Sequence, residues 1–233
     1  MSVSPSNPDV PASRTAVSLG ATVVIIAILL FWPAGTWSWS LGWAFLFALA
    51  AQMWLALAWM QRVNPEIIAA RQGIGANTKA WDYVLMPLTL LGLVSILPVA
   101  ALDNARFAWS ALPFNVIIFG YVLFVGGFWI IAWAQAVNRH FEPSVRIQTD
   151  RNHQVVETGP YAFVRHPGYV GASLMAFGWG FALGSVVAQV PALLTTILLI
   201  MRTEMEDRTL QRELPGYAEY TYSVRAKWIP GLY

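Results

Sequence analysis

Long apolar runs alternate with short polar segments along the chain. Each run is close to the roughly 20 residues that a helix needs to cross a bilayer; the six runs cover residues 16–32, 39–60, 82–102, 113–137, 168–183 and 186–204. Only Leu183, Gly184 and Ser185 separate the last two runs, which form either a helical hairpin or one long tilted helix. The pattern predicts an all-α fold, a polytopic membrane bundle of about six transmembrane helices.

Composition supports a membrane protein and excludes several kinds of chemistry. Of the 233 residues, 57% are hydrophobic and 11% charged, against roughly 25% charged in ordinary soluble domains. A net charge of +2 is too small to indicate a nucleic-acid partner. Since the chain contains no Cys, it has no disulfide, no thiolate nucleophile and no Cys-based metal site.

The basic residues predict how the chain crosses the membrane. If the amino terminus is cytoplasmic and all six runs cross, 13 of the 14 Lys and Arg side chains are cytoplasmic, and only Arg106 lies outside. A single long helix in place of the hairpin would move the last five basic residues to the other side. The positive-inside rule therefore favours the hairpin and two cytoplasmic termini. The favoured membrane is the bacterial inner membrane over the endoplasmic reticulum.

The length of the first run and the residues that follow it suggest that it is not a cleaved signal peptide. It is longer than the core of a signal peptide, and Trp32-Pro33-Ala34-Gly35 is not a convincing cleavage site. Residues 1–13 are rich in Ser and Pro, which predicts a disordered tail. Residues 14–137 then form a four-helix transmembrane region, and residues 138–233 form a second unit of one long polar loop, the hairpin and a tail.

A basic and aromatic cluster precedes the fifth run. Pro167 suits the first turn of a helix, so that His166 lies at its amino end. Free backbone N–H groups there, together with Arg165 and His166, would suit a carboxylate or a phosphate. Alternatively, Arg165 is only a topology anchor and Pro167 merely starts the helix.

An acidic cluster ends the sixth run. Helical spacing stacks Arg202 over Glu206 and Glu204 over Arg208, each four residues apart. These residues form either surface ion pairs or an acidic cluster that takes part in the function. Three carboxylates within four positions, Asp207 included, repel one another, and this favours one of them binding a cation or a pair of hydroxyls.

The aromatic and His residues leave alternatives open. Tyr161 and Tyr169 lie in an interfacial belt or offer their faces to an onium ion. His140 and His153 are expected to be exposed loop residues, and since the three His are not at zinc-ligand spacing, no metal site is predicted. Residues 145–148 and 154–156 could form a β-hairpin.

The polar clusters together resemble a known family. The pattern is Val156-x-x-Gly159-Pro160-Tyr161-x-x-Val164-Arg165-His166-Pro167-x-Tyr169-x-Gly171, then Arg202-x-Glu204-x-Glu206-Asp207-x-x-Leu210, then Tyr217-x-x-Tyr220. It is similar to the isoprenylcysteine carboxyl methyltransferases and the phospholipid methyltransferases. The resemblance covers roughly residues 138–233, which it identifies as a methyltransferase core.

The resemblance implies an enzyme that takes its methyl group from S-adenosylmethionine, bound in a cytoplasmic pocket. The acceptor would be a lipophilic or lipidated molecule that arrives from the bilayer. The implied cofactor-binding residues are Tyr161, Arg165, His166, Tyr169, Glu204 and Glu206.

The catalytic residues implied by the family are an Arg and a Glu of the acidic helix. They map onto Arg202 and onto Asp207 or Glu206. The family usually has Glu where this chain has Asp207, which leaves the role of that position open. The acceptor is also open among a prenylcysteine carboxylate, an amine, a thiol and a quinone-like hydroxyl.

Two rival functions remain. NADPH-dependent sterol reductases share a related carboxy-terminal half, and the closing Ile229-Pro230-x-x-Tyr233 is close to their endings. Pro167 directly after His166 and the Glu206-Asp207 pair resemble the methyltransferases better. A non-catalytic membrane scaffold or channel subunit would need no cluster of polar residues.

Overall fold

The computed structural model describes residues 12–70, 75 and 77–233, and the helices account for most of them. The helices are α1 Ala12–Ala34, α2 Ser40–Val63, α3 Glu66–Ala70, α4 Asp82–Ala100, α5 Phe114–Val137, α6 Pro167–Ala182, α7 Gln189–Glu213 and α8 Tyr217–Ser223. A π-helical segment, Ala101–Phe107, continues α4. Of the predicted disordered tail, residues 1–11 lie outside the described residues, and α1 begins at Ala12.

The predicted helical membrane bundle is confirmed. Within the described ranges, four segments are long and apolar enough to cross a bilayer, namely Val17–Ala34, Ser40–Val63, Asp82–Phe107 and Phe114–Val137. α6 is short, at 16 residues, and the carboxyl half of α7 is rich in charge. The crossing of the membrane by these two helices therefore stays a prediction, although they are separate helices joined by a turn.

Glycines allow α5 and α6 to pack with their backbones in contact. A Cβ atom on Gly127 would overlap the carbonyl oxygen of Gly171, and one on Gly178 would overlap the backbone of Phe124. Small residues at such positions are typical of close helix packing in membranes. The face of α6 that carries Gly171 and Gly178 therefore packs on α5.

A buried carboxylate fixes the turn of the hairpin against the end of α4. Asp103, in the π-helical segment, is fully buried. Its Oδ2 accepts hydrogen bonds from the hydroxyls of Ser185 at 2.5 Å and Ser110 at 2.6 Å, and from the N–H of Val187 at 3.2 Å. These bonds hold the turn, so that α6 and α7 return side by side towards the polar loop.

Candidate active site

A cavity of about 660 Å³ lies between α4, α6 and α7 and under the polar loop. One part of its wall is apolar and is formed by Met86, Leu90, Leu93, Ile131, Met175 and Leu199. The other part is polar and includes six of the eight predicted site residues, which are Tyr161, Arg165, His166, Tyr169, Arg202 and Glu206. Glu204 and Asp207 are described but are not among the lining residues.

Asp207 is the centre of a buried hydrogen-bond network behind the cavity wall. The guanidinium of Arg165 donates to its two oxygens at 2.9 and 3.0 Å, and Nε2 of His166 lies 3.2 Å from Oδ1. The hydroxyl of Tyr217 donates at 3.0 Å and the amide of Gln211 at 2.7 Å. Burial by itself would raise the pKa of Asp207, but the bonds from His166 and Arg165 outweigh it and hold the pKa below its usual range.

The carboxy-terminal tail binds the backbone just before α6. The N–H groups of Arg165 and His166 donate to the carbonyls of Ala226 and Lys227, each at 3.0 Å. These two N–H groups are therefore not free to bind an anion. The Arg165 guanidinium also donates to the carbonyls of Val224 and Arg225.

Glu204 ties the same tail to α7. It accepts a hydrogen bond from Tyr233 at 2.5 Å and pairs with Lys227. The predicted ion pair with Arg208 is present at 3.8 Å. The indole N–H of Trp228 donates to Thr203 at 2.8 Å. This arrangement makes Glu204 an anchor of the tail, and the predicted contact with a cofactor has no support from its position.

Glu206 has a different environment from its two acidic neighbours. It is partly buried, lines the cavity and accepts a hydrogen bond of 2.5 Å from the hydroxyl of Tyr169. None of the ion pairs formed within the described part of the chain includes it. The Tyr169 ring stacks on His166 with centroids 5.8 Å apart. The site therefore holds a carboxylate that lies next to aromatic faces and has no counter-ion among the described residues.

Arg202 pairs with Asp82, a residue that the sequence reasoning did not identify. Its Nε and Nη2 donate to the Asp82 carboxylate at 2.8 and 3.0 Å, and Nη2 also donates to the carbonyl of Pro143. The guanidinium lies over the Tyr169 ring, 5.4 Å from its centroid. The predicted stacking of Arg202 on Glu206 is therefore not the pairing that forms. The sequence feature that could have pointed to Asp82 is its position as an acidic residue at the start of an apolar run.

The polar loop, residues 138–166, is ordered by its own side chains. The Gln148 amide donates to the carbonyl of His140 at 2.7 Å, and its oxygen lies 3.2 Å from Nδ1 of that ring. Arg146 forms ion pairs with Glu142 and Asp150. The suggested β-hairpin is absent from these described residues, since a 3₁₀ turn, Thr149–Arg151, and extended segments occupy the region.

The two loop histidines are not the exposed residues that the sequence predicted. His140 is buried, His153 is partly buried, and both line the cavity, with ring centroids 4.6 Å apart. Burial is the main cause that lowers the pKa of both rings, to about 4 for His153. The nearby charges of Arg146 and Arg151 act in the same direction on His153. Both rings are therefore neutral at pH 7.

The loop is expected to lose stability as the pH falls from 6.5 towards 4. Because folding depresses the pKa of His153 below the ordinary 6.5, its contribution is fully present above pH 6.5 and is lost in acid, where protonation favours the open loop. After allowance for the partial exposure of His153, we expect its protonation to lower the stability of the loop by about 2 kcal/mol. Thermal unfolding and amide exchange of the loop at pH 7.5 and pH 5 would measure it. His153→Phe keeps an aromatic ring and should remove this dependence. Identical pH profiles for the two proteins would contradict the expectation.

Comparisons with known proteins bear on the carboxy-terminal half of the chain. Among the described residues, no group of three or more His, Asp or Glu side chains is placed to hold a metal ion. No curated protein matches the chain significantly. Residues 115–215 match the family model described as phospholipid methyltransferase. This match confirms the resemblance over residues 115–215, which are similar to the phospholipid methyltransferases, and it supports a membrane methyltransferase in general.

Proposed function

We propose that the protein transfers a methyl group from S-adenosylmethionine to a lipophilic acceptor. The observation that carries this proposal is that one part of the cavity wall is polar and aromatic and another part is apolar. The polar part suits a charged cofactor, and the apolar part suits a hydrocarbon chain or ring. Of the apolar lining residues, Leu90 is 59% exposed on the outer surface of α4. An acceptor dissolved in the bilayer would therefore reach the cavity beside α4.

The residues of the polar wall fit S-adenosylmethionine. The Glu206 carboxylate, which has no counter-ion in the part of the chain that the structure describes, matches the ammonium or the sulfonium of this molecule, and the face of Tyr169 suits an onium ion. Burial raises the pKa of the Tyr161 and Tyr220 phenols, so that both stay protonated. When bound, S-adenosylmethionine supplies an electrophilic methyl group, and its sulfur keeps the electron pair of the broken bond.

The contribution of this chain to the reaction would be orientation and exclusion of water. Asp207 holds Arg165, His166 and Tyr217 together from behind the wall, which suggests positioning in place of the catalytic role that the resemblance implied for it. Arg202 and Glu206 both line the cavity; Glu206 is the better candidate for contact with the cofactor, and Arg202 for contact with the acceptor. In this scheme residues 138–233 form the polar part of the cavity wall, which would bind the cofactor. The helix α4, within residues 14–137, completes the apolar part, which would bind the acceptor.

Calorimetric titration of the purified protein in detergent tests the proposal. We expect binding of S-adenosylmethionine and of S-adenosylhomocysteine, and no binding of NADPH. Binding of NADPH alone would favour the reductase alternative, for which neither the family match nor the cavity gives support. Binding of none of the three would leave a non-catalytic scaffold as the better reading. Methylation of a panel of amines, thiols, hydroxyls and prenylcysteine carboxylates would then identify the acceptor.

Both termini are expected on the cytoplasmic side, with six crossings and with the bacterial inner membrane as the favoured location. The chain has no native Cys, so single Cys residues can be introduced and labelled without background. Ser6→Cys and Glu219→Cys should react with a membrane-impermeant maleimide only after the cells are opened. Ser38→Cys, between α1 and α2, should react in intact cells. Labelling of residues 6 and 219 on opposite sides would contradict six crossings.

A further inference from the structure

Arg202 has two carboxylates within its reach but binds one of them. Glu206 is four residues further along α7, a spacing that places two side chains next to each other on one face of a helix. The guanidinium is instead held by Asp82 at 2.8 and 3.0 Å. The Asp82 side chain is fully buried, and its Oδ2 also accepts a hydrogen bond of 2.7 Å from the N–H of Val145. Asp82 is therefore fixed at the start of α4 and competes directly with Glu206 for Arg202.

We propose that Asp82 is a positioning residue that holds Arg202 away from Glu206 and so keeps the Glu206 carboxylate available to a cationic ligand. This inference rests on the proposed function, in which that ligand is S-adenosylmethionine. Without Asp82, the buried Arg202 cation would need another anion, and Glu206 is its neighbour on the same helix face. An Arg202–Glu206 ion pair would then neutralise the one cavity carboxylate that now has no counter-ion among the described residues.

With Asp82 in this role, α4 contributes to ligand binding. Asp82 lies outside residues 115–215, which match the family model. The same helix supplies Met86, Leu90 and Leu93 to the apolar wall. The amino-terminal half would therefore complete the site in two ways. It shapes the apolar wall that would bind the acceptor, and it keeps the Glu206 carboxylate free of Arg202 at the wall that would bind the cofactor.

Three variants test the proposal through the affinity for S-adenosylmethionine, measured by calorimetry in detergent micelles. Asp82→Asn removes the charge and keeps the shape, and we expect about a tenfold weaker affinity as Arg202 turns to Glu206. In Asp82→Asn/Arg202→Gln the competing cation is also gone, so that the affinity should return to within about threefold of the wild-type value. Asp82→Glu retains the anion and should bind nearly as well as the wild type. Any effect of residue 82 on the loop at Val145 is present in both the single and the double variant. The difference in affinity between these two variants therefore reports the effect of Arg202 alone.

Asp103→Asn is the matched control. Asp103 is equally buried and lies roughly 30 Å further along the same helical segment, at 1.5 Å per residue. A loss of stability common to both Asp→Asn changes, without a loss of affinity in Asp103→Asn, would separate positioning from general destabilisation.

The outcomes distinguish this proposal from the proposed function. If the wild type does not bind S-adenosylmethionine, the proposed function fails. If the wild type binds it but Asp82→Asn binds equally well, or the double variant binds no better than Asp82→Asn, the positioning role of Asp82 is overturned. Should Asp82→Asn fail to fold, Asp82→Ser and Asp82→Ser/Arg202→Gln replace the two variants, and the same two outcomes decide.

Discussion

Asp207→Asn is expected to lower both the stability of the protein and its affinity for S-adenosylmethionine. The carboxylate accepts five hydrogen bonds, from Arg165, His166, Gln211 and Tyr217. Removing its charge would leave the Arg165 guanidinium, whose side chain is 6% exposed, without a counter-ion. Breaking such a buried pair costs about 3 to 5 kcal/mol. The cavity wall formed by Arg165 and His166 should loosen, and we expect at least a tenfold loss of affinity.

Thermal unfolding and calorimetry on the same preparation would separate this role from general-base catalysis. A general base that touches only the acceptor would leave cofactor affinity and stability nearly unchanged while turnover falls, by about 100-fold or more. That result for Asp207→Asn would restore the catalytic role that the family resemblance implied. Asp207→Glu keeps the charge but adds a methylene group to a packed network, for which we expect a smaller loss of about 1 to 3 kcal/mol.

The acidic cluster of α7 shows how far the sequence could lead. Glu204, Glu206 and Asp207 were identified as important from their spacing, and each has hydrogen-bond partners in the structure. Because successive residues of a helix are rotated by about 100°, they point in different directions. Glu204 binds the carboxy-terminal tail, Glu206 lines the cavity, and Asp207 binds the loop before α6. Their roles depend on partners distant in sequence, which spacing alone does not supply.

Asp82 and the two loop histidines show what local patterns could not predict. Asp82 is 120 residues from its partner Arg202, and nothing near it in the sequence indicates a counter-ion. His140 and His153 lie in a polar segment, which normally means exposure. They are removed from solvent to different extents because the loop folds back over the cavity and hydrogen-bonds to itself through Gln148. The long apolar runs, by contrast, carry their own signal, and the first four of them form helices of membrane-spanning length.

Glu206→Gln is expected to weaken S-adenosylmethionine binding by about 1 to 3 kcal/mol, roughly 5-fold to 150-fold. The change keeps the size of the side chain and its ability to accept a hydrogen bond from Tyr169, but removes the only cavity carboxylate that has no counter-ion among the described residues. Glu204→Gln, two residues earlier on α7, is the matched control. Glu204 binds Lys227 and Tyr233 of the tail and Arg208 of α7, away from the cavity, and Glu204→Gln should change the affinity much less.

S-adenosylhomocysteine sharpens this test, because it lacks the sulfonium charge but keeps the ammonium. If Glu206 faces the sulfonium, Glu206→Gln should weaken the binding of S-adenosylmethionine much more than that of S-adenosylhomocysteine. If Glu206 holds the ammonium, both should weaken equally. Unchanged affinity for both molecules would show that Glu206 does not touch the cofactor. Loss of turnover without loss of affinity would then assign Glu206 to the acceptor, because a group that acts on the acceptor changes the rate while cofactor binding stays intact.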